Sequence, residues 1–309
     1  MTGSSSTQAT KPGRKAGTER DKLTPVMRQW DDAKRAHPDA VLFFRLGDFY
    51  EMFHDDAVLV SNVLKLTLTS RNKGAADEIP MAGVPYHAAA GYIAKMLAAG
   101  YKVALCEQMA DPSKVKGIVP REVVRVVTPG LVTDGEIEAR ENLYLAAVET
   151  EATGEGDRAF GFALLDLTTG ELSAAAVSGV AALTCEIARS SPREVLFGPG
   201  ATDVAGELGA WLRAVAVREE GPLERPAAEI VGEILGADAR ADAEKSHASV
   251  ALAATARVLA FARRCTPGKA LPIRRVAPLD LASAMRIDET AQAHLELVRA
   301  LDGSRDGTL

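Results

Sequence analysis

Phe49 and Glu51, two residues apart in the run Gly47-Asp48-Phe49-Tyr50-Glu51, are the residue types with the most chemistry to offer in this 309-residue chain. An exposed phenylalanine can stack on a nucleic-acid base, or drive between base steps from the minor groove and kink the duplex. A glutamate beside it can hydrogen-bond a base edge, although phosphates otherwise repel a carboxylate. The same residues also have a purely structural reading. Asp48 as an N-cap and Glu51 three residues later would close a capping box, with Phe49, Phe53, Ala57, Val60 and Leu64 as the apolar stripe of a helix over residues 49–64. A side chain engaged in capping is not free to read a base, so for Glu51 the two readings compete.

Charge says which part of the chain would face phosphates. The net charge is −6, yet residues 1–128 carry 18 lysines and arginines against 14 acids, so the excess of acid falls entirely on residues 129–309. Only the first part suits a polyanion. Hydrophobic residues make up 47% of the chain and charged ones 25%, ordinary for a globular protein of two domains or slightly more. No run of 18 apolar residues exists, and the three cysteines, Cys106, Cys185 and Cys265, are widely spaced without a C-x-x-C. These features predict a reduced, cytoplasmic setting and no membrane partner. The five histidines have no ligand spacing with cysteine or acids, so no metal site is expected.

The elements that must position Phe49 and Glu51 follow from patterning. Residues 1–22 read as a disordered, mildly basic tail. Thr24-Pro25 reads as an N-cap and N1 proline opening a helix over 26–36. A strand over 41–45 leads into the Gly47 turn. Residues 67–69 alternate like a short strand, followed by a basic loop over 70–74, and the two prolines and glycine of residues 79–88 argue against a regular element there. A helix over 87–99 and strands over 102–107 and 122–127 complete the unit, with Thr128-Pro129-Gly130 as the boundary. Beyond it, a polar hairpin or loop over 149–157 precedes strands over 159–167 and 171–177. Helices over 180–190, near 205–211, 227–235 and 246–265 then mix with strands over 194–197 and 214–218, a pattern of mixed sheet with packed helices. A strand over 285–288 and a helix over 289–301 would begin a third domain, cut off at Leu309.

Four separated motifs now carry a specific resemblance: GDFYEMF (47–53), IPMAGVPYHA (79–88), Cys106-Glu107-Gln108 and VVRVVTPG (123–130). In this order and spacing they resemble the N-terminal part of the bacterial MutS family of DNA mismatch recognition proteins. ALLDLTTGEL (163–172) resembles that family's connector domain, and MRIDETAQAHLELVRAL (285–301) the start of its core, or lever, domain. The resemblance implies an α/β fold: a mixed-sheet mismatch-binding domain over 23–130, a ribonuclease-H-like connector over 131–277 and the start of a helical domain over 278–309. It implies that Phe49 stacks on a mispaired base and Glu51 hydrogen-bonds it in a kinked duplex, with Arg71, Met81 and Arg121 close to DNA. Implied partners are mismatched double-stranded DNA, downstream repair proteins through the connector and a second copy of the full-length protein, all in the cytoplasm at the nucleoid.

The family's ATPase needs a G-x-x-x-x-G-K-[ST] loop, and no such string occurs in these residues. No catalytic residue and no cofactor are therefore expected here, ATP and Mg²⁺ belonging to a C-terminal part beyond Leu309. A competing reading is a metal-dependent nuclease of ribonuclease-H-like shape, for which Asp166 and Glu171 are the only acids to nominate, fewer than two-metal chemistry gathers. A third is a module for protein interaction alone.

Overall fold

The computed structural model describes residues 23–74, 78–111, 114–132, 142–153, 157–209, 212 and 215–281. The first helix, α1 (Pro25–Ala36), starts as predicted: Pro25 occupies its first turn and Thr24 Oγ1 accepts from the Met27 amide at 3.4 Å. It lies on a six-stranded sheet made of β1 (Ala40–Leu46), β2 (Phe49–Phe53), β3 (Thr69–Arg71), β4 (Ile79–Pro85), β5 (Lys102–Gln108) and β6 (Arg121–Val127). The order is β3-β4-β2-β1-β5-β6, with β1 and β5 parallel and the other neighbours antiparallel. Alternation sorts its faces. Val41, Phe43, Tyr50, Met52, Val84 and Val103 form one core with α2 (His54–Leu64) and α3 (Ala89–Ala98). Leu42, Phe44, Phe53 and Cys106 face the other way, into a core that holds Met27 and Trp30 of α1.

The helix expected over 49–64 is corrected here. Residues 49–53 form a strand, and α2 begins only at His54. Gly47, at φ +57°, turns β1 back on itself so that Leu46 pairs with Phe49 and Phe44 with Glu51. Burial then alternates with period two, Phe49 exposed, Tyr50 buried, Glu51 half-buried and Met52 buried, as a strand demands. No capping box can form, because Phe53 is the N-cap and its side chain makes no cap bond.

Residues 79–85 are likewise strand rather than irregular chain, and register explains the prolines. Pro80 lies beyond the last β2 partner, Met81, and Pro85 beyond the last β3 partner, so each proline faces only one neighbouring strand. The basic loop shortens accordingly, since Ser70 and Arg71 belong to β3.

The second sheet contains β7 (Tyr144–Thr153), β8 (Asp157–Asp166), β9 (Glu171–Ser178), β10 (Glu194–Phe197), β11 (Ala216–Glu219) and β12 (Ala277–Pro278), in the order β11-β10-β7-β8-β9-β12. Three antiparallel strands are followed by two that run parallel to the first on its other side, the ribonuclease-H-like arrangement. Of the two alternatives for 149–157, the hairpin is the one that forms: β7 and β8 pair there, with Glu149 and Thr150 in the ladder. One face packs on α4 (Val180–Ser190) and α5 (Thr202–Leu208) through Phe160, Phe162, Leu183 and Val204. The other is covered by α8 (Ser249–Cys265), behind which lie α6 (Ala227–Leu235) and α7 (Ala237–Ser246), a helix that patterning missed. The contact with α8 is close. A Cβ on Gly161 would stand 1.8 Å from the Val250 carbonyl oxygen.

The Thr128-Pro129-Gly130 boundary is buried rather than a solvated linker. Its Thr128 hydroxyl and the Gly130 amide both bond to the carboxylate of fully buried Glu194 on β10. Arg218 Nε donates to the other oxygen of that carboxylate at 2.7 Å and its Nη2 to the Gly100 carbonyl at 3.2 Å, so the two sheets are stitched together. The expected tail over 1–22, the strand over 285–288 and the helix over 289–301 lie outside the described residues.

Candidate nucleic-acid interface

One end of the first sheet gathers most of the exposed apolar surface. The ends of β1, β4 and β5 and the starts of β2 and β6 meet there, and with them Phe49, Tyr86, Met109 and Ile118. These are four of the seven exposed large hydrophobics among the described residues. An exposed apolar cluster of this kind marks a surface that something covers.

Phe49 is 47% exposed at the first position of β2, where the Gly47-Asp48 turn lifts it to the rim. Glu51 follows on the same face and is half-buried, since residues i and i+2 of a strand share a side. Opposite Glu51 stands Gly83, and opposite Phe49 stands Pro85. A Cβ on Gly83 would sit 3.8 Å from Glu51 Cγ and 3.9 Å from Phe49 Cδ1, so its hydrogen leaves open the slot between them. Glu51 makes no hydrogen bond or ion pair among the described residues, and burial holds its pKa above the usual carboxylate range, partly opposed by the charge of Arg71. Its carboxyl is therefore a hydrogen-bonding group with no partner inside the described protein.

The remaining candidates share this face. Arg71 ends β3 with its guanidinium 5.9 Å over the Phe53 ring, and it has no carboxylate partner among the described residues. Met81 pairs with Phe53 and Thr69 and packs on the α1-side core. Arg121 is anchored differently. Its Nε donates to the Arg45 carbonyl at 2.7 Å, its Nη1 to the Val119 carbonyl at 2.9 Å and to Gln29 at 3.5 Å, and the guanidinium lies 5.3 Å over Phe44. Only its Nη2 hydrogens are left to turn outward. The sheet thus brings Phe49, Glu51, Arg71, Met81 and Arg121 onto one face, Phe49, Glu51 and Arg71 with unspent functional groups.

Sequence reasoning missed Gly83, Tyr86 and Arg45 at this end. Reading residues 49–53 as a strand would have exposed Gly83, because register then sets it against Glu51. Asp166 and Glu171, the acids nominated for metal chemistry, face each other across β8 and β9. Asp166 is fully buried and spent: Oδ1 accepts from the Thr168 amide and hydroxyl at 2.9 and 2.6 Å, and Oδ2 from the Leu143 amide at 3.2 Å. It is a turn acid. No group of three His, Cys, Asp or Glu side chains converges among the described residues, and no described helix is long and apolar enough to cross a membrane.

Comparison with known proteins decides the family. The profile of MutS domain I matches residues 24–136 and that of MutS domain II residues 143–220, together more than half of the chain. The chain belongs to the MutS family. The DNA mismatch repair protein MutS of Sorangium cellulosum is 57% identical over 297 residues, covering 94% of this chain and 32% of that protein. Its counterpart from Myxococcus xanthus is 41% identical over 295 residues, covering 93% of this chain and 32% of its own length. The chain therefore spans about a third of the length of these curated relatives. The first sheet and its helices are the MutS domain I part, and the connector-type MutS domain II part begins with β7.

Proposed function

We propose that this chain recognises mispaired or unpaired bases in duplex DNA, as the relatives' name of DNA mismatch repair protein suggests. One observation carries the reading: an exposed phenylalanine and an unbonded, partly buried glutamate stand side by side on one strand face, with a bare glycine opposite. Phe49 enters the minor groove at the mispair and stacks on the displaced base. Glu51 hydrogen-bonds that base. A mispair is chosen because it unstacks and bends at lower energetic cost than a paired step. Arg71 and the Nη2 of Arg121 neutralise phosphates, while Met81 lies further along the same face, beside Phe53.

The unit boundaries follow the same reading: a mismatch-binding domain over 23–130, a connector over 131–277, which hands the signal to downstream repair proteins, and a core domain starting at 278. ATP hydrolysis, Mg²⁺ and the homodimer are assigned to the longer family protein, acting in the cytoplasm at the nucleoid. The test is fluorescence anisotropy with a labelled duplex carrying a G·T mispair or an unpaired T, against its perfectly paired counterpart. Tighter binding to the first two, falling with added salt, is expected. Equal affinity for all three duplexes would overturn the proposal.

A further inference from the structure

Behind the wedge, on the opposite face of the sheet, four side chains lock the turn that carries it. The turn itself is two residues long and includes a positive-φ glycine, so it has little stiffness of its own. Arg45 Nε donates to the Gly47 carbonyl at 2.5 Å, and the Tyr86 amide donates to the Asp48 carbonyl at 2.9 Å. Both turn residues are thereby pinned. The Arg45 guanidinium in turn lies 3.7 Å from the Tyr86 ring centroid, and its Nη1 is 3.8 Å from Glu107 Oε2. The Tyr50 hydroxyl holds the other Glu107 oxygen. The contacts close a ring from β1 through the turn to β4, across to β5 and back through β2.

We propose that Arg45 is a positioning residue for mismatch recognition: stacked on Tyr86 and tied to Glu107, it holds the Gly47-Asp48 turn so that Phe49 projects into the duplex already aligned. This rests on the reading of Phe49 as the wedge. A ring that must enter a base stack gains most from being fixed beforehand, because every rotamer lost on binding subtracts from affinity for the kinked state. Arginine is required by the geometry. Lysine keeps the charge near Glu107 but has neither the flat face that lies on Tyr86 nor an Nε–H aimed at Gly47.

The test uses Arg45→Lys and, at an exposed position where folding is safe, Tyr86→Leu. Exchange of the Tyr86 amide, which the Asp48 carbonyl of the turn holds, should quicken about 10-fold in the free chain in both, with the central strand β8 unchanged. Preference for a G·T duplex over a paired one should fall roughly 3- to 10-fold, with affinity for the paired duplex nearly constant. Unchanged exchange of the Tyr86 amide would overturn the proposal. So would a proportionate loss of both affinities, which marks a phosphate contact, or faster exchange throughout the chain, which marks a general fold role. Adding Phe49→Ala separates the two levels. If Phe49→Ala alone leaves the mismatch preference intact, the wedge reading fails and the positioning role fails with it, even where the turn still loosens; if it abolishes the preference, Arg45→Lys should add nothing to it.

Discussion

Replacing Phe49 by alanine sets stability and recognition against each other. The ring is 47% exposed, so about half of its roughly 200 Å² is removed from water by Pro85, Leu46 and the strand beneath it. At about 25 cal/mol per Å² that burial stabilises by at most ~2.5 kcal/mol. Alanine keeps the Cβ, and the unfolded chain already hides part of the ring, which leaves an expected loss of about 1 to 2 kcal/mol. A fully buried phenylalanine would cost about 3 to 5 kcal/mol. Base stacking on an aromatic ring is worth about 1 to 3 kcal/mol, so mismatch preference should fall about 5- to 150-fold, while contacts to phosphates keep non-specific binding alive. Urea denaturation gives the first number from the shift in midpoint, and anisotropy with mispaired and paired duplexes gives the second. Phe49→Tyr, which keeps the ring, should lie between alanine and the parent. A loss near 4 kcal/mol with preference intact would make Phe49 a core residue and end the wedge argument.

Burial raises the Glu51 pKa, so the folded chain holds that proton more tightly than the unfolded one and ionised Glu51 lowers stability at neutral pH. Glu51→Gln should therefore raise the melting temperature at pH 7, with the gain vanishing as pH falls through the raised pKa and below the ordinary glutamate value of about 4.3; a gain that grows on acidification would contradict this. Arg71→Gln should weaken binding to paired and mispaired duplexes alike and reduce the salt slope by about one, with little change in stability. Arg121→Gln removes donors from the Arg45 and Val119 carbonyls and should cost about 1 to 3 kcal/mol in denaturation, a loss Arg71→Gln does not share. Glu194→Gln strips the charge facing Arg218 in a fully buried position and should cost about 3 kcal/mol or more; a loss under 1 kcal/mol would show that the seam between the sheets does not depend on that pair.

Elements whose pattern is local were legible in the sequence. The helices at 25–36, 180–190 and 227–235 carry their signals on themselves, such as the Thr24-Pro25 start of the first. Residues 49–53 misled because Asp48 and Glu51 have capping-box spacing while Phe49, Phe53 and Ala57 mimic a helical stripe. Only pairing with β1, across the Gly47-Asp48 turn, and with β4, far along the chain, decides for a strand, and pairing is not written in the segment itself. The prolines of residues 79–85 misled for the same reason, since their tolerance depends on where the neighbouring strands stop. Phe49 and Glu51 were nonetheless singled out as candidates, because residue type and the family resemblance survive an error about the element that carries them. Arg45 and Gly83 were not, because their roles exist only across strands.

The seam shows what that register accomplishes beyond the wedge. Thr128 and Gly100 sit at the end of β5 and β6 opposite to Phe49, since Val103 pairs with Val127 there while Gln108 pairs with Arg121 near the rim. Six steps along β5 at about 3.3 Å each put roughly 20 Å of strand between the two ends. Glu194 and Arg218 grip the far end through Thr128, Gly130 and Gly100. Gly130 is obligatory in that grip, because a Cβ there would stand 2.9 Å from Glu194 Cβ and 3.1 Å from Leu145 Cα. A turn that is braced at one end of a hydrogen-bonded sheet, and a buried carboxylate that anchors the other, make the strands between them a lever rather than a hinge. In the proposed complex, force taken up by Phe49 would reach the second sheet through the ladders of β2, β1 and β5 and then through the Glu194–Arg218 grip at their far end.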